Sequence, residues 1–333
     1  MTRRLTLAAA VLTMLSLSFI VSPAQAKETI TYAYLLDPAQ EGILYAIRAG
    51  IVTSDAIEID ARPLAIPALI QSTPTKQYDV LMNAVMAIPL ARRRGLDLVV
   101  LSTGITAAPG RKGGGLWVKK DSAYHAVADL KGKTVGNYAL KSTGTTWARI
   151  ALTRTHGINA SYENGDFEWV QLPAPSLPAA LESGRIDAAT LIHSQAFKAE
   201  RSGDFRALNH TAEDIHAQFG VNTVSAVLVS YPEKLAERPD AFKEFNRMLK
   251  ASVDYAVANP DAVGAEIAKQ GKISAEYFKV WLADYSRTPG VISSDHLEAM
   301  ETVWMNAEML GLLEAGEAPK AESVIWEHAI RAN

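Results

Sequence analysis

Leu130-Lys131-Gly132-Lys133-Thr134-Val135-Gly136-Asn137-Tyr138 opens as a turn and continues from Thr134 as a strand. A helix follows over Thr145 to Thr155, with Trp147, Ile150, Ala151 and Arg154 near one face. Beyond it the pattern predicts a strand from Phe167 to Leu172, then a helix from Leu177 to Ser183 closed by Gly184 as its C-terminal cap. Ile186 to Ile192 reads as another buried strand. Strands alternating with helices imply an α/β layer around a mainly parallel sheet.

Upstream, Leu116 to Lys119 is a further strand, and before it lies the breaker-rich stretch Ala107-Ala108-Pro109-Gly110-Arg111-Lys112-Gly113-Gly114-Gly115. That stretch separates a first α/β run from the second. The first run has strands at Thr29 to Leu35, Ile57 to Ala61, Tyr78 to Met82 and Leu96 to Thr103. Between them lie a helix with Ile43, Leu44, Ile47 and Ile51 on one face, a short helix around Pro67 to Gln71, and one that includes Arg92 to Arg94. Downstream, strand-like Phe219 to Val229 leads into helices from Pro239 to the end. A helical tail needs a sheet to cover, and the first run supplies it. The expected architecture is two lobes: residues 27–110 and 222–333 form lobe one, residues 111–221 form an inserted lobe two, and two chain crossings make a hinge around a cleft. Tyr78-Asp79-Val80-Leu81 and Ile186-Asp187-Ala188-Ala189 echo one another, each opening a buried strand whose far end is polar, at Asn83 and His193.

At the start, Arg3 and Arg4 precede an apolar stretch from Leu5 to Val21, then Pro23 and Ala24-Gln25-Ala26. This is the order of a cleavable export signal, with cleavage expected near Ala26. Thr2-Arg3-Arg4-Leu5 also meets a short twin-arginine pattern, though ordinary secretion is the favoured route. The full chain has 33 basic and 36 acidic side chains; losing Arg3 and Arg4 leaves 31 against 36, a net charge of −5. Such acidity argues against nucleic acid as a partner. With no cysteine, a lipid-bearing N-terminus, zinc-thiolate sites, disulfides and a cysteine nucleophile are all excluded. A freely soluble periplasmic product is expected.

Val127-Ala128-Asp129-Leu130-Lys131-Gly132-Lys133-Thr134-Val135-Gly136, followed by a Ser/Thr/Gly helix start, resembles a signpost of the type II periplasmic binding proteins. Within them it is similar to the nitrate, sulfonate, taurine and thiamine-precursor group of ABC transporter solute-binding proteins. Leu181-Glu182-Ser183-Gly184-Arg185-Ile186-Asp187-Ala188 is similar to a second signpost, and Tyr78-Asp79-Val80 and Gly95-Leu96-Asp97-Leu98-Val99 sit where that group has comparable segments. The resemblance runs over nearly the whole mature chain and implies capture of a small solute for an inner-membrane permease driven by a cytoplasmic ATPase. The Gly113-Gly114-Gly115 run and Arg92 to Arg94 match no ligand subgroup.

Candidate ligand contacts follow. Ser142, Thr143, Gly144 and Thr145 open the Trp147 helix, whose unpaired amides and positive dipole end suit an anion, and a hydroxyl there also serves as an ordinary N-cap. Asp37-Pro38-Ala39-Gln40 fits a helix start in which Asp37 is the cap. In the resembling proteins the loop after the first strand touches ligand, so Gln40 and Glu41 are candidates, Glu41 being equally well explained as a favourable charge in a first helical turn. Asn83 and His193, at strand ends of opposite lobes, and Asn222, beside the second crossing, complete the polar set. Trp147 and Tyr34 are either stacking surfaces or core, and Arg111 and Lys112 read as a solvated loop. No esterase elbow, His-Glu-x-x-His, Walker loop or dinucleotide fingerprint is present. No catalytic residue, metal or cofactor is expected. The reading is a monomeric solute-binding component of an ABC importer for an anionic or zwitterionic sulfonate, carboxylate or nitrogen heterocycle. The rivals are a secreted hydrolase using His193 and a sensory binding module.

Overall fold

The computed structural model describes residues 26–270 and 273–332. The export signal expected over residues 1–26 therefore lies outside the described residues, apart from Ala26. No described helix is long and apolar enough to cross a membrane.

Four strands come first: β1 (Glu28–Leu35), β2 (Ile57–Leu64), β3 (Val80–Ala84) and β4 (Val99–Ala107). The chain then leaves to build β5 (Leu116–Lys119), β6 (Lys133–Asn137), β7 (Phe167–Gln171), β8 (Ala188–Thr190) and β9 (Phe205–Ala207), and comes back as β10 (Val224–Ser230) and β11 (Ser286–Arg287). Two sheets result, in the orders β11-β4-β10-β3-β1-β2 and β7-β6-β8-β5-β9. The fold is α/β, with two mixed sheets and flanking helices.

Each sheet has the parallel heart that the strand–helix alternation predicts: β2, β1 and β3 in one, β7, β6 and β8 in the other. The departures from a parallel sheet are topological. Strand β10, returning from the second sheet, enters the first from its opposite end and pairs antiparallel with both β3 and β4. Strand β5 likewise runs antiparallel to β8 and β9.

The aspartates of the sequence echo do equivalent work. Asp79, just before β3, accepts from the Thr31 N–H of β1 at 2.9 Å, and Asp187, just before β8, accepts from the Thr134 N–H of β6 at 3.0 Å. Each carboxylate thus fixes the register of a central strand against its neighbour. Asp79 also holds Lys234 and Arg238 at 3.0 and 2.6 Å; burial alone would raise its carboxyl pKa, but the hydrogen bonds from Thr31 and Lys234 and the Lys234 charge keep it below the usual range.

The tail covers the first sheet as expected. Helix Pro239–Ala258 buries Phe242, Phe245, Leu249 and Val253 at helical spacing. Phe245 meets Tyr32 of β1 edge to face, with centroids 5.3 Å apart, a geometry that contributes about 0.5–1.5 kcal/mol beyond area burial. Local expectations shift as well: helix Ala87–Arg92 stops before Arg93 and Arg94, and β8 ends at Thr190, so His193 opens helix His193–Ser202 instead of ending a strand. The first helix is two short pieces, Pro38–Ile43 and Tyr45–Arg48, so Ile51 falls beyond it and is exposed. Phe219 ends helix Thr211–Phe219 rather than opening a strand, because Gly220 closes that helix in the left-handed conformation.

Candidate functional site

Between the two sheets lies a pocket of about 100 Å³. The first sheet contributes Asn83, Ala84 and Thr106, the second Asn137 and Thr190, and the loop between β4 and β5 contributes Gly113, Gly114 and Gly115. No charged side chain lines it among the described residues. On one side it shares Leu35, Ile66, Tyr138, Ile192 and His193 with a wider 320 Å³ mouth whose other walls include Leu36, Pro67, Pro173 and Pro175.

The electrostatics come from backbone. Helix Thr143–His156 and helix Thr211–Phe219 both begin on this pocket, presenting Thr143, Gly144, Thr211 and Ala212. The first amides of a helix have no intrahelical acceptor and sit at the positive end of its dipole. Ser142 caps the first helix by accepting from Thr145 N–H at 3.2 Å. The second has no side-chain cap, and the Thr211 hydroxyl oxygen, although the residue is buried, has no hydrogen-bond partner among the described residues. A third helix, His193–Ser202, also starts here, but its end is already filled: Asp37, reaching across from the first sheet's side, accepts from Ser194 Oγ at 2.7 Å and from Ser194 N–H at 3.4 Å.

Several candidates come together and others do not. Asn83, Ser142, Thr143, Gly144, Thr145 and His193 all line the pocket. Asn83 donates to Thr73 Oγ1 at 2.6 Å, and Thr145 Oγ1 donates to Ala139 O at 2.9 Å with Asn137 Oδ1 at 3.1 Å. Tyr34, Gln40, Glu41 and Asn222 are not among the lining residues. Tyr34 is fully buried and joins Glu41 and Arg48 in a hydrogen-bonded cluster on the first sheet's side. Gln40 is buried against Thr288, its amide donating at 3.3 Å. Asn222 is exposed and accepts from Arg111 Nε at 3.1 Å, so the two crossings are tied to each other. Trp147 is both core and wall: it is buried, and its indole N–H donates to Val224 O at 3.0 Å. Asp37 is a cap, accepting from Ala39 N–H at 3.0 Å.

Sequence reasoning missed Asn137, Thr190 and Thr211. Glu213 and Asp214, acids in the first turn of the helix, are the sequence signal for a helix start beside Thr211, which follows the N-cap His210. Nothing local marks Asn137 and Thr190, which meet across two strands, Asn137 Nδ2 donating to Thr190 Oγ1 at 3.1 Å.

His193 has φ 47°, a left-handed backbone that few non-glycine residues adopt. Its Nδ1 accepts from Trp281 Nε1–H at 3.1 Å, which places the neutral ring's proton on Nε2. Burial of the ring lowers its pKa below the ordinary value, against the opposing pull of Asp37. His296 is lowered too, mainly by burial. A histidine whose folded pKa lies below its unfolded value leaves the unfolded chain binding more protons, so stability is full above the unfolded pKa, about 6.5, and is lost as pH falls below it. Unfolding stability should therefore decline from pH 7 toward pH 5, and His193→Asn should flatten that decline while tolerating the left-handed backbone. Urea titrations at both pH values check this; an equally steep decline in the variant would remove His193 as a cause.

Residues 67–263 match the family described as NMT1/THI5 like. No curated protein matches the chain. Among solved structures, the periplasmic aliphatic sulphonate binding protein SsuA from Escherichia coli superposes with a TM-score of 0.69 at 16% identity, covering 91% of this chain and 98% of that one. A conserved Candida albicans gene product described as having the generic periplasmic binding protein fold gives 0.71 at 13% identity, covering 92% and 98%. The ligand-binding component of an ABC-type import system from Staphylococcus aureus, with zinc bound, gives 0.67 at 14% identity, covering 90% and 97%. These likenesses establish the fold, and the matched span is more than half of the 333 residues: the chain belongs to the NMT1/THI5-like family.

Proposed function

We propose that this protein is the periplasmic solute-binding component of an ABC importer and captures a small anionic or zwitterionic solute between its two sheets. The observation that carries this reading is the pair of helix N-termini, Thr143–His156 and Thr211–Phe219, that open on one pocket without charged side chains among the described residues. Donors fixed in the backbone bind an anion at little ordering cost, since they are already held in place. Residues 27–110 and 222–333 act as one lobe and residues 111–221 as the other, rotating about the crossings at Arg111 and Asn222. Their closed arrangement is held by contacts between the lobes: Met86 N–H donates to Thr143 Oγ1 at 3.0 Å, and Trp147 donates to Val224 O. A monomer that closes on its solute presents the closed form to the permease, with the closed population set by the solute's differential affinity. Binding without turnover is favoured because His193 commits Nδ1 to Trp281, while Asp37, the carboxylate whose charge acts on the ring, is committed to Ser194, Tyr277 and Ala39 rather than to the imidazole.

Thermal melting against a panel of sulfonates, carboxylates and nitrogen heterocycles tests this. One class should raise Tm and elute from the protein unchanged; chemical conversion of it would overturn the reading. Thr143→Val leaves the Met86 N–H unsatisfied on closure, a cost of about 1–3 kcal/mol, so solute should bind about 5- to 150-fold more weakly, read by calorimetry. Equal affinity in that variant would move the solute elsewhere.

A further inference from the structure

A second groove, wider than the pocket between the helix starts, opens elsewhere on the molecule. On the far side of the Met86–Thr143 contact lies a groove of about 460 Å³, bounded by residues 70–96 and Leu312 on one side and by residues 140–162 on the other. Its floor is apolar, formed by Ile70, Met86, Leu90, Leu96, Leu140 and Leu312. Its charged lining is entirely cationic: Arg93, Arg94 and Lys141, with no acid among the lining residues. Arg93 is held by Glu317, with Nε donating to Oε1 at 2.6 Å. Arg94 and Lys141 are exposed, and neither has an ion-pair partner among the described residues. The dimensions and the mix of apolar wall with few charges are those of a small-molecule site at a domain boundary.

We propose that this groove is a second ligand site, taking a single-tailed amphiphilic anion whose acidic head pairs with Arg94 and Lys141 and whose hydrocarbon tail lies on the Leu90–Leu140 floor. The two cations come from opposite walls, so one head group bridges them only when the walls stand as they do here. Met86 contributes to the groove and donates its N–H to Thr143 of the inner pocket, so the two sites share a wall. Occupancy of the groove favours the closed arrangement and, by linkage, tightens binding in the inner pocket.

The probe is decanoate below its micelle concentration, compared by calorimetry with decan-1-ol and decyltrimethylammonium. Decanoate should bind with at least about tenfold higher affinity than either, and Arg94→Glu with Lys141→Glu should weaken it by about tenfold or more. Equal binding of decanol, preference for the cationic probe, or undiminished decanoate affinity in the double variant would each overturn the site. Both residues are exposed, so the variant's unliganded Tm should stay near that of the parent. If it does not, Lys141→Gln, which removes one charge without reversing it, should still weaken decanoate about threefold or more, and no change there rejects the proposal. Failure of this test leaves the solute panel result untouched, since neither residue lines the inner pocket.

Discussion

Asp37→Ala should cost roughly 3–5 kcal/mol of folding stability, because one buried carboxylate serves two helices and joins the two halves of the molecule. Its Oδ1 accepts from Ala39 N–H at 3.0 Å and from the Tyr277 hydroxyl at 2.6 Å, and its Oδ2 takes Ser194 Oγ and N–H. Asp37 is only 5% exposed, so water has little access to the donors that alanine would strand. Burial and the neighbouring carboxylate already hold the Tyr277 proton far above its usual pKa, so that hydroxyl remains a committed donor. Deletion also removes a negative charge from two positive helix ends, Pro38–Ile43 and His193–Ser202, at once. Asp37→Asn keeps one acceptor oxygen but turns an amide toward Ser194 N–H, so about 1–2 kcal/mol is expected. Urea denaturation with an unchanged slope measures both. A loss below about 1 kcal/mol for Asp37→Ala would mean that the contact between the halves contributes little.

That prediction shows where sequence stops and structure begins. Asp37 is recognisable as a cap because Pro38 follows it and the pattern is local, but Ser194 lies 157 residues away and Tyr277 lies 240 away. The same division runs through the site. Ser142 to Thr145, Asn83 and His193 were legible because each sits where a strand or turn hands over to a helix, and those ends face the cleft in this topology. Tyr34 lies at the end of β1, and Gln40 and Glu41 follow that strand. Burial could be anticipated there, but not which surface of the sheet the buried face would meet. Tyr34 turns its hydroxyl to Glu41 and Arg48 instead of the pocket, and burial, despite Arg48 nearby, raises its pKa. The sheets expected to be mainly parallel are mixed for a related reason: periodicity gives a strand its existence, whereas its direction depends on where the chain re-enters.

Gly115→Ala should lose roughly 3–6 kcal/mol, a large share of the roughly 5–15 kcal/mol that holds a typical folded protein together. Two penalties coincide there. The residue has φ 144°, outside the range of L side chains, and an added Cβ would stand 2.2 Å from the carbonyl oxygen of Asn209. That oxygen belongs to backbone just before helix Thr211–Phe219, so no side-chain rotation relieves the clash; the helix start facing the pocket has to move. Gly113 is equally confined, its Cβ position lying 2.4 Å from Tyr285 O. Of the triple glycine that matched no ligand subgroup, Gly113 and Gly115 are thus explained by close approach, since the chain leaves β4 through a gap between the backbones at Asn209 and Tyr285 that a side chain would fill, and Gly114 by its left-handed φ of 71°. Gly132→Ala provides the control. Its φ is 71°, yet nothing lies within 4 Å of its Cβ position, so only the left-handed backbone is penalised, at about 1 kcal/mol. Denaturation midpoints of the two variants separate crowding from backbone strain. If Gly115→Ala proves no more costly than Gly132→Ala, the crossing has slack. The Thr211 helix start would then be free to shift, and the pocket between the sheets would lose one of the two helix ends that open on it.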